Sequence, residues 1–358
     1  MEFEKIVISG TPEDRGFQYG SKCRELIQLS IANYKKWMES EKKRISWDEA
    51  RRRSLDFLPA IQRSCRSLGE EMNGIAKGAE VEFEDILTLN CRSEVVSLIR
   101  GIEDVDGCSS IGVLPERSLS GHTLLAQNWD MYHWVGDVGI VLEILEDDGP
   151  DILTVTEAGQ LSRYGINKSG CALGVTSLHN IKTKVISGLP SVLIRRKFLM
   201  QSKYNYGVNA ILKNHHMVPM HYLTACGDAP GCILGLDGIL EGTGCVYPQN
   251  GLYLHTNHML HPSAPLLTAD KGGTLYRLRI LEAILNKEKI SIEDIKMALS
   301  HHFGFPTSVC RHCDPKLKEI EQVSTLGSMV MDVTDKRLWA CKRNPCENDY
   351  IEFGWSRK

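Results

Sequence analysis

Nowhere in the 358 residues does an apolar run approach the ~18 positions that a membrane-spanning helix requires. An excess of positive charge is missing too: 42 basic and 45 acidic side chains leave a net charge of −3. Neither a nucleic-acid backbone nor an anionic membrane is therefore an expected partner. The opening Met1-Glu2-Phe3-Glu4-Lys5-Ile6-Val7 is too charged and too short in apolar residues for a secretory signal, which points to a soluble, cytoplasmic protein. Internal repeats and low-complexity linkers are absent. The 12 cysteines are numerous, but without a secretory signal they read as reduced thiols rather than as a disulfide framework.

What is present changes character part-way along the chain. Thr11-Pro12-Glu13-Asp14 offers a capping hydroxyl, a proline at the first helical position and acids in the first turn. Phe17, Leu26, Ile27, Ile31, Tyr34 and Trp37 follow at helical spacing. Ser46-Trp47-Asp48-Glu49 resembles a capping box, Gly78 a helix stop, and Ile86, Leu87, Leu89, Val95, Val96 and Ile99 a last helix. Residues 11–102 are thus predicted to be mainly helical. After Asp106-Gly107-Cys108-Ser109-Ser110 the pattern becomes short strands separated by turns, at 122–128, 139–145, 152–157, 171–176, 222–226, 232–236, 252–256, 324–333, 337–341 and 350–353. Further helices are predicted at 190–212, 274–285 and 291–301. Two sheets with helices outside, an α+β fold, follow from that order.

Cys108 lies on this change of architecture. A glycine before it leaves the intervening carbonyl unshielded and lets the backbone adopt strained or positive-φ conformations. An N→S acyl shift onto the thiolate, followed by hydrolysis, would split the chain and leave Cys108 as a new N-terminus. Its α-amine, with a pKa of about 7.7–8.0 against about 10.4 for lysine, would then be a base beside its own thiol. For an isolated Gly-Cys pair the alternative is a buried core cysteine after a turn glycine.

Motifs in a fixed order carry a resemblance. They are Gly10-Thr11-Pro12 with Gly16 and Tyr19-Gly20, Gly74-Ile75-Ala76-Lys77-Gly78-Ala79-Glu80, and Leu89-Asn90 with Arg92 and Glu94. Asp106-Gly107-Cys108, Gln127-Asn128-Trp129-Asp130, Thr156-Glu157-Ala158-Gly159, His255-Thr256-Asn257-His258, and Pro306 with Ser308 and Cys310-Arg311 complete the set. Together they resemble the fungal acyl-coenzyme A:6-aminopenicillanic acid (isopenicillin N) acyltransferase family, a self-processing group within the N-terminal-nucleophile (Ntn) hydrolases. The resemblance implies a four-layer αββα sandwich preceded by a mainly helical N-terminal region. It also implies cleavage between Gly107 and Cys108 into a 1–107 subunit and a 108–358 subunit, the two staying together as one compact heterodimer.

Roles are implied residue by residue. Cys108 corresponds to the nucleophile with its own α-amine as base. Asp130 corresponds to an acid that orients the N-terminal residue, Asn257 to an oxyanion-hole amide, and Arg311 to an arginine required around the site. The alternatives to these roles are a turn or cap residue for Asp130, an ordinary strand-end amide for Asn257, and half of a structural ion pair for Arg311. Ser109 and Ser110 stand where the family has hydroxyl residues. Departures from the family pattern fall at Tyr132, His133, Trp134 and Gly136 and at His221, so the first three and His221 are taken as candidate substrate contacts. No cofactor is implied. Cys310-Arg311-His312-Cys313, with Cys341, Cys346, His301 and His302, could be drawn as a zinc site; packed free thiols fit most of these residues, and no metal ligand is assigned.

The expected function is a cofactor-free enzyme that hydrolyses a small N-acyl amine through a Cys108 thioester. Family members hydrolyse β-alanyl amines such as β-alanyl-dopamine and carcinine, or move acyl groups into penicillins. Acyl transfer from a thioester such as acyl-coenzyme A to an amine is therefore the alternative, and a non-catalytic binding protein that keeps the fold is a second. The partners implied are the small amide or thioester substrate and the two cleaved subunits themselves.

Overall fold

The computed structural model describes residues 1–100, 107–178, 188–239, 242–260 and 273–357. The chain opens on a strand that the sequence reading lacked, β1 (Glu4–Ser9); Ile6 and Ile8 are buried, while the charged residues around them masked the alternation. Helices α1 (Pro12–Lys22), α2 (Arg24–Met38), α3 (Trp47–Ser54), α4 (Leu58–Ser64), α5 (Arg66–Ala79) and α6 (Phe83–Arg100) follow. Thr11 caps α1, its hydroxyl accepting from the Asp14 amide at 3.3 Å. Ser46 caps α3 in the same way at 3.2 Å, but the expected capping box stays open because the Glu49 carboxylate turns to Arg52 and Arg53 instead.

Helices α1 and α5 cross in backbone contact. A Cβ on Gly16, Gly20, Gly74 or Gly78 would fall 2.0–2.3 Å from a main-chain oxygen of the opposite helix, so each of the four must be glycine for closeness. Gly78 is therefore a packing residue rather than the predicted stop: α5 runs on to Ala79 and ends at Glu80, whose φ is +56°.

From Ser109 the chain builds β2 (Ser109–Val113), β3 (Leu124–Tyr132), β4 (Gly139–Leu145), β5 (Ile152–Glu157), β6 (Tyr164–Asn167) and β7 (Cys171–Ser177). The helix expected over 190–212 is two, α7 (Ser191–Leu199) and α8 (Tyr204–Leu212). The Asn167 amide donates to the carbonyls of Leu199 and Gln201 at 2.8 and 2.9 Å and so takes up the acceptors on which a longer helix would depend. Strands β8 (Met220–Cys226), β9 (Cys232–Ile239), β10 (Gly242–Val246) and β11 (Leu252–His255) come next. Helices α9 (Gly273–Ile284) and α10 (Ile292–Leu299) then precede β12 (Val323–Asp332), β13 (Arg337–Lys342) and β14 (Ile351–Phe353).

Eight strands form one sheet in the order β1-β4-β5-β6-β7-β8-β9-β10, with β1 parallel to β4, and six form the other in the order β11-β2-β3-β12-β13-β14. The sheets pack face to face through β2 and β3 against β7. At their centre the Gln127 amide pairs with both the N–H and the C=O of Val175 across the gap, and Gly174 leaves room for it. Helices α1, α7 and α8 cover the first sheet; α9 and α10 cover the second, over Ile111, Val113, Leu124, Ala126 and Val330. The fold is thus an α+β sandwich of four layers, αββα, as expected.

Buried ions tie the first hundred residues to the rest. Glu71 on α5 meets Arg15 on α1 at 3.1 Å and Arg196 on α7 at 3.2 Å. Glu157 on β5 receives the Tyr34 hydroxyl of α2 at 2.5 Å, Arg92 of α6 at 3.0 Å, and Arg163. Glu71 and Glu157 are wholly buried, and multiple charged partners compensate them there.

Candidate active site

Gly107 and Cys108 lead into β2, and the pairing of Ser109 with Asn128 sets them beside the end of β3. The motif on β3 divides its labour by the alternation of a strand. Gln127 bridges to the first sheet, and Trp129 packs edge-on against Tyr164 at 6.1 Å beneath the Arg163 guanidinium at 4.8 Å. Asn128 points the other way and donates to the carbonyls of Leu299 and Val309, fastening the C-terminal end of one outer helix and the segment that follows it.

Asp130 lies against the scissile candidate. A Cβ built on Gly107 would be 2.3 Å from the Asp130 Cβ. Gly107 is not among the residues of positive φ, so the reason for glycine here is space and not the backbone freedom expected from the sequence. Asp130 Oδ1 accepts from the Thr325 hydroxyl at 2.7 Å, and Thr325 Oγ1 in turn accepts from the Arg311 amide at 2.8 Å. Arg311 thereby reaches Asp130 through its main chain and Thr325.

The Cys108 sulfur is 3.8 Å from the Asp130 carbonyl oxygen and 3.9 Å from the Tyr164 hydroxyl, and the residue is 6% exposed. Burial, and then the Asp130 carboxylate, push the thiol above its ordinary pKa; the Asp130 main chain, Arg163 and Tyr164 oppose them. Tyr164 itself accepts from Arg163 Nε at 3.0 Å.

A residue not singled out in the sequence completes the site. Arg277 on α9, almost fully buried, donates from Nη1 to the carbonyl oxygens of Gly107 at 2.7 Å and Cys108 at 2.8 Å, and to Ser109 Oγ at 3.1 Å. Its Nη2 donates to Asn257 Oδ1 at 2.9 Å, and the same oxygen accepts the Gly107 amide at 3.3 Å. Asn257 Nδ2 donates to the Ser177 carbonyl at 3.0 Å. The only signal for Arg277 in the sequence is a cation within the apolar pattern of a helix. Arg163 and Tyr164 offered none.

A cavity of about 70 Å³ opens beside Cys108, lined in part by Arg92, Asp130, Arg163, Tyr164, Arg195 and Met220. Arg92 and Arg163 share Glu157, whereas no carboxylate among the described residues pairs with Arg195, whose nearest polar contacts are Ser191 Oγ at 3.5 Å and Met220 Sδ at 3.7 Å.

The site thus joins Cys108, Asp130 and Asn257 directly and Arg311 indirectly. Tyr132, His133, Trp134 and His221 are not among the residues lining this cavity. Tyr132 and Trp134 stack at 5.8 Å within a cluster that includes Tyr34 and Trp37, and Tyr132 borders a separate groove. His133 Nδ1 is 2.8 Å from Ser324 Oγ. His221 is buried between the sheets, stacked 3.6 Å from His255 and 2.7 Å from Asp237. Asp106 lies outside the described residues.

No family model matches the chain. Among curated proteins it is 28% identical over 312 residues to the acyl-coenzyme A:6-aminopenicillanic-acid-acyltransferase 40 kDa form of Emericella nidulans, covering 86% of this chain and 84% of the relative. The chain resembles this acyltransferase along most of its length. The resemblance found motif by motif is therefore one of overall sequence. Solved structures with similar chains include a Caenorhabditis elegans N-acylethanolamine-hydrolyzing acid amidase ortholog, at 13% identity and a TM-score of 0.45 over 63% of this chain and 93% of that one. They also include a conjugated bile acid hydrolase from Clostridium perfringens, at 12% identity and a TM-score of 0.46 over 70% of this chain and 98% of that one. The proteins that the chain is similar to are enzymes of acyl transfer and amide hydrolysis.

Proposed function

We propose that the chain is a self-processing cysteine amidohydrolase of the Ntn type, which cleaves its own Gly107–Cys108 bond and then hydrolyses small N-acyl amines through a Cys108 thioester. The observation that carries this reading is the 2.7 Å hydrogen bond from Arg277 to the Gly107 carbonyl, the bond's own electrophile, next to the Cys108 thiol. A cation and hydrogen-bond donor at that oxygen stabilises the negative charge that develops when sulfur attacks the carbon.

The thiol loses its proton, sulfur bonds to the Gly107 carbon, and the C–N bond breaks as the Cys108 nitrogen takes up a proton. Water attacks the resulting thioester, leaving a carboxylate on Gly107 and a free thiol and α-amine on Cys108. Asp130, pressed against Gly107 and held by Thr325, is placed to pair with the new ammonium or take its proton. Departure of Gly107 takes one acceptor from Arg277 Nη1, so the donor that served the Gly107 carbonyl is offered to the oxyanion of a bound substrate, with Asn257 Oδ1 holding the guanidinium through Nη2. A substrate amide bound there is attacked by the Cys108 thiol with its α-amine as base, releases its amine, and water hydrolyses the acyl-enzyme. Arg195 supports an acyl group bearing a carboxylate or other electron-rich function.

The likeness to the Emericella acyltransferase favours a second reading, in which an amine rather than water takes the acyl group. Intact mass of the purified protein beside Cys108→Ala tests the first step: two fragments summing to the chain plus one water, with Cys108 as a new N-terminus and a whole chain in the variant, are expected. A wild-type chain that stays uncut overturns it. Feeding N-acyl amines, and acyl-coenzyme A with amine acceptors, then separates hydrolysis from transfer by the product formed.

A further inference from the structure

The cysteines and histidines near the C-terminus sort differently in space than along the chain. Cys313 and Cys341, drawn with the others from the sequence, stand apart; Cys341 Sγ faces the Asn348 carbonyl at 3.2 Å, and His301 Nδ1 accepts the Phe303 amide at 3.1 Å. His302, Cys310, His312 and Cys346 converge instead, with one ligand atom from each lying within 4.8 Å of all the others.

The separations have a chemical meaning. Cys310 Sγ is 3.5 Å from Cys346 Sγ; His312 Nε2 is 3.7 Å from Cys310 Sγ, 3.4 Å from Cys346 Sγ and 3.1 Å from His302 Nε2. A tetrahedral ion with bonds of about 2.3 Å to sulfur and about 2.0–2.1 Å to nitrogen sets edges of about 3.8 Å between sulfurs, about 3.6 Å between sulfur and nitrogen, and about 3.3 Å between nitrogens. Four of the six edges lie within about 0.3 Å of these, and the other two, from His302 to the sulfurs, are no longer than 4.8 Å. A disulfide, at about 2.05 Å, is far shorter than the sulfur–sulfur distance here. Two imidazole Nε2 atoms at 3.1 Å can share a hydrogen bond as unlike tautomers, but a common cation satisfies both lone pairs and accounts for the two sulfurs beside them as well.

The surroundings fit the same reading. Asn344 Nδ2 donates toward Cys310 Sγ at 3.4 Å, the kind of contact that steadies a ligating thiolate. The Glu347 carboxylate is 3.9 Å from His312 Nδ1, on the side of the ring away from the sulfurs.

We propose that His302, Cys310, His312 and Cys346 form a structural zinc site. Mixed thiolate and imidazole ligation at tetrahedral spacing selects zinc among the common divalent ions. Binding converts two thiols to thiolates and releases their two protons. The ion joins the segment before β12 to the loop after β13. It also holds Arg311 between two ligands, and Arg311 fixes Thr325 on both sides, through its N–H to Thr325 Oγ1 at 2.8 Å and its carbonyl from the Thr325 N–H at 2.9 Å. On the reading given above, the ion thereby steadies the hold of Thr325 on Asp130; the site itself does not depend on that reading.

Elemental analysis of the full-length chain, purified under reducing conditions and freed of loosely held metal, tests the site. Stoichiometric zinc is expected, lost in Cys346→Ser and in His302→Ala, both exposed positions where folding is spared, and kept in Cys313→Ser. Cobalt added to the chain after zinc removal should give the intense visible bands of a tetrahedral ion together with thiolate-to-cobalt charge transfer. A folded wild-type chain that carries no zinc and shows no such bands overturns the proposal. So does a Cys310–Cys346 disulfide in the freshly reduced and refolded protein, or zinc that survives Cys346→Ser and His302→Ala alike. Because metal content is the readout, a failure of self-cleavage leaves this test intact.

Discussion

A methyl group on Gly107 would sit 2.3 Å from the Cβ of Asp130, so the residue before Cys108 and the carboxylate beside it occupy one tight space. Gly107→Ala must therefore displace Asp130 or the bond to be cut. Overpacking of this kind costs about 1–3 kcal/mol, which as a barrier slows self-cleavage about 5- to 160-fold. The fraction of cut chain over time, followed by intact mass, checks it. Cleavage at the wild-type rate would remove the role given to Asp130.

Arg277 supplies the donor to the Gly107 carbonyl. Replacing it by Met keeps much of the packing and deletes that donor, with an expected loss of about 2.7–4 kcal/mol of barrier stabilisation, or roughly 10²–10³ in processing rate. Thermal unfolding of the uncut variant separates this from simple misfolding. A folded Arg277→Met that still processes at full speed would refute it.

The Cys108 thiol is raised above its ordinary value of about 8.5 by burial and by Asp130. A group that must lose its proton to attack, and whose pKa is raised, is reactive in a smaller fraction at neutral pH. Self-cleavage should accelerate as pH rises through 7 to 9, about tenfold per unit while the thiol remains mostly protonated, with its plateau above the free-thiol value. Removing the charge in Asp130→Asn should move the midpoint down even as it lowers the limiting rate. Initial rates of cleavage across pH, measured on protein first held at low pH, give both quantities.

Cleavage between Gly107 and Cys108 leaves β1 paired with β4 and Glu71 paired with Arg196. The fragments are expected to co-elute in size-exclusion chromatography and to part only in denaturant. Glu71→Ala leaves Arg15 and Arg196, two buried cations, sharing Glu146 as their one carboxylate, and should cost about 3–5 kcal/mol of unfolding free energy, read as a lower denaturant midpoint.

Much of this was legible from residues alone where local rules act. The cap at Thr11, a strand through Leu124–Asn128, and the shift from helical to strand spacing near Cys108 each depend on neighbours in sequence, and the structure keeps all three. Where long-range partners decide, the same reading faltered. Gly78 looked like a stop because nothing nearby reveals that Phe17 crosses over it, and β1 was missed because its partner, β4, lies more than a hundred residues away. Aromatic residues just after Asp130 suggested a substrate pocket, yet they pack with Tyr34 and Trp37, and the cavity at Cys108 is lined by arginines from α6, α7 and the approach to β6.

The order of motifs, the glycine before Cys108 and the lack of any strong charge bias were properties of the sequence, because each follows from residue type and spacing. Tertiary structure alone decided that Arg277 reaches the Gly107 carbonyl and that Cys346 rather than Cys313 joins Cys310. Hydrogen bonds and metal ligation act over a few ångströms, and only the folding of distant segments onto one another determines which side chains come that close.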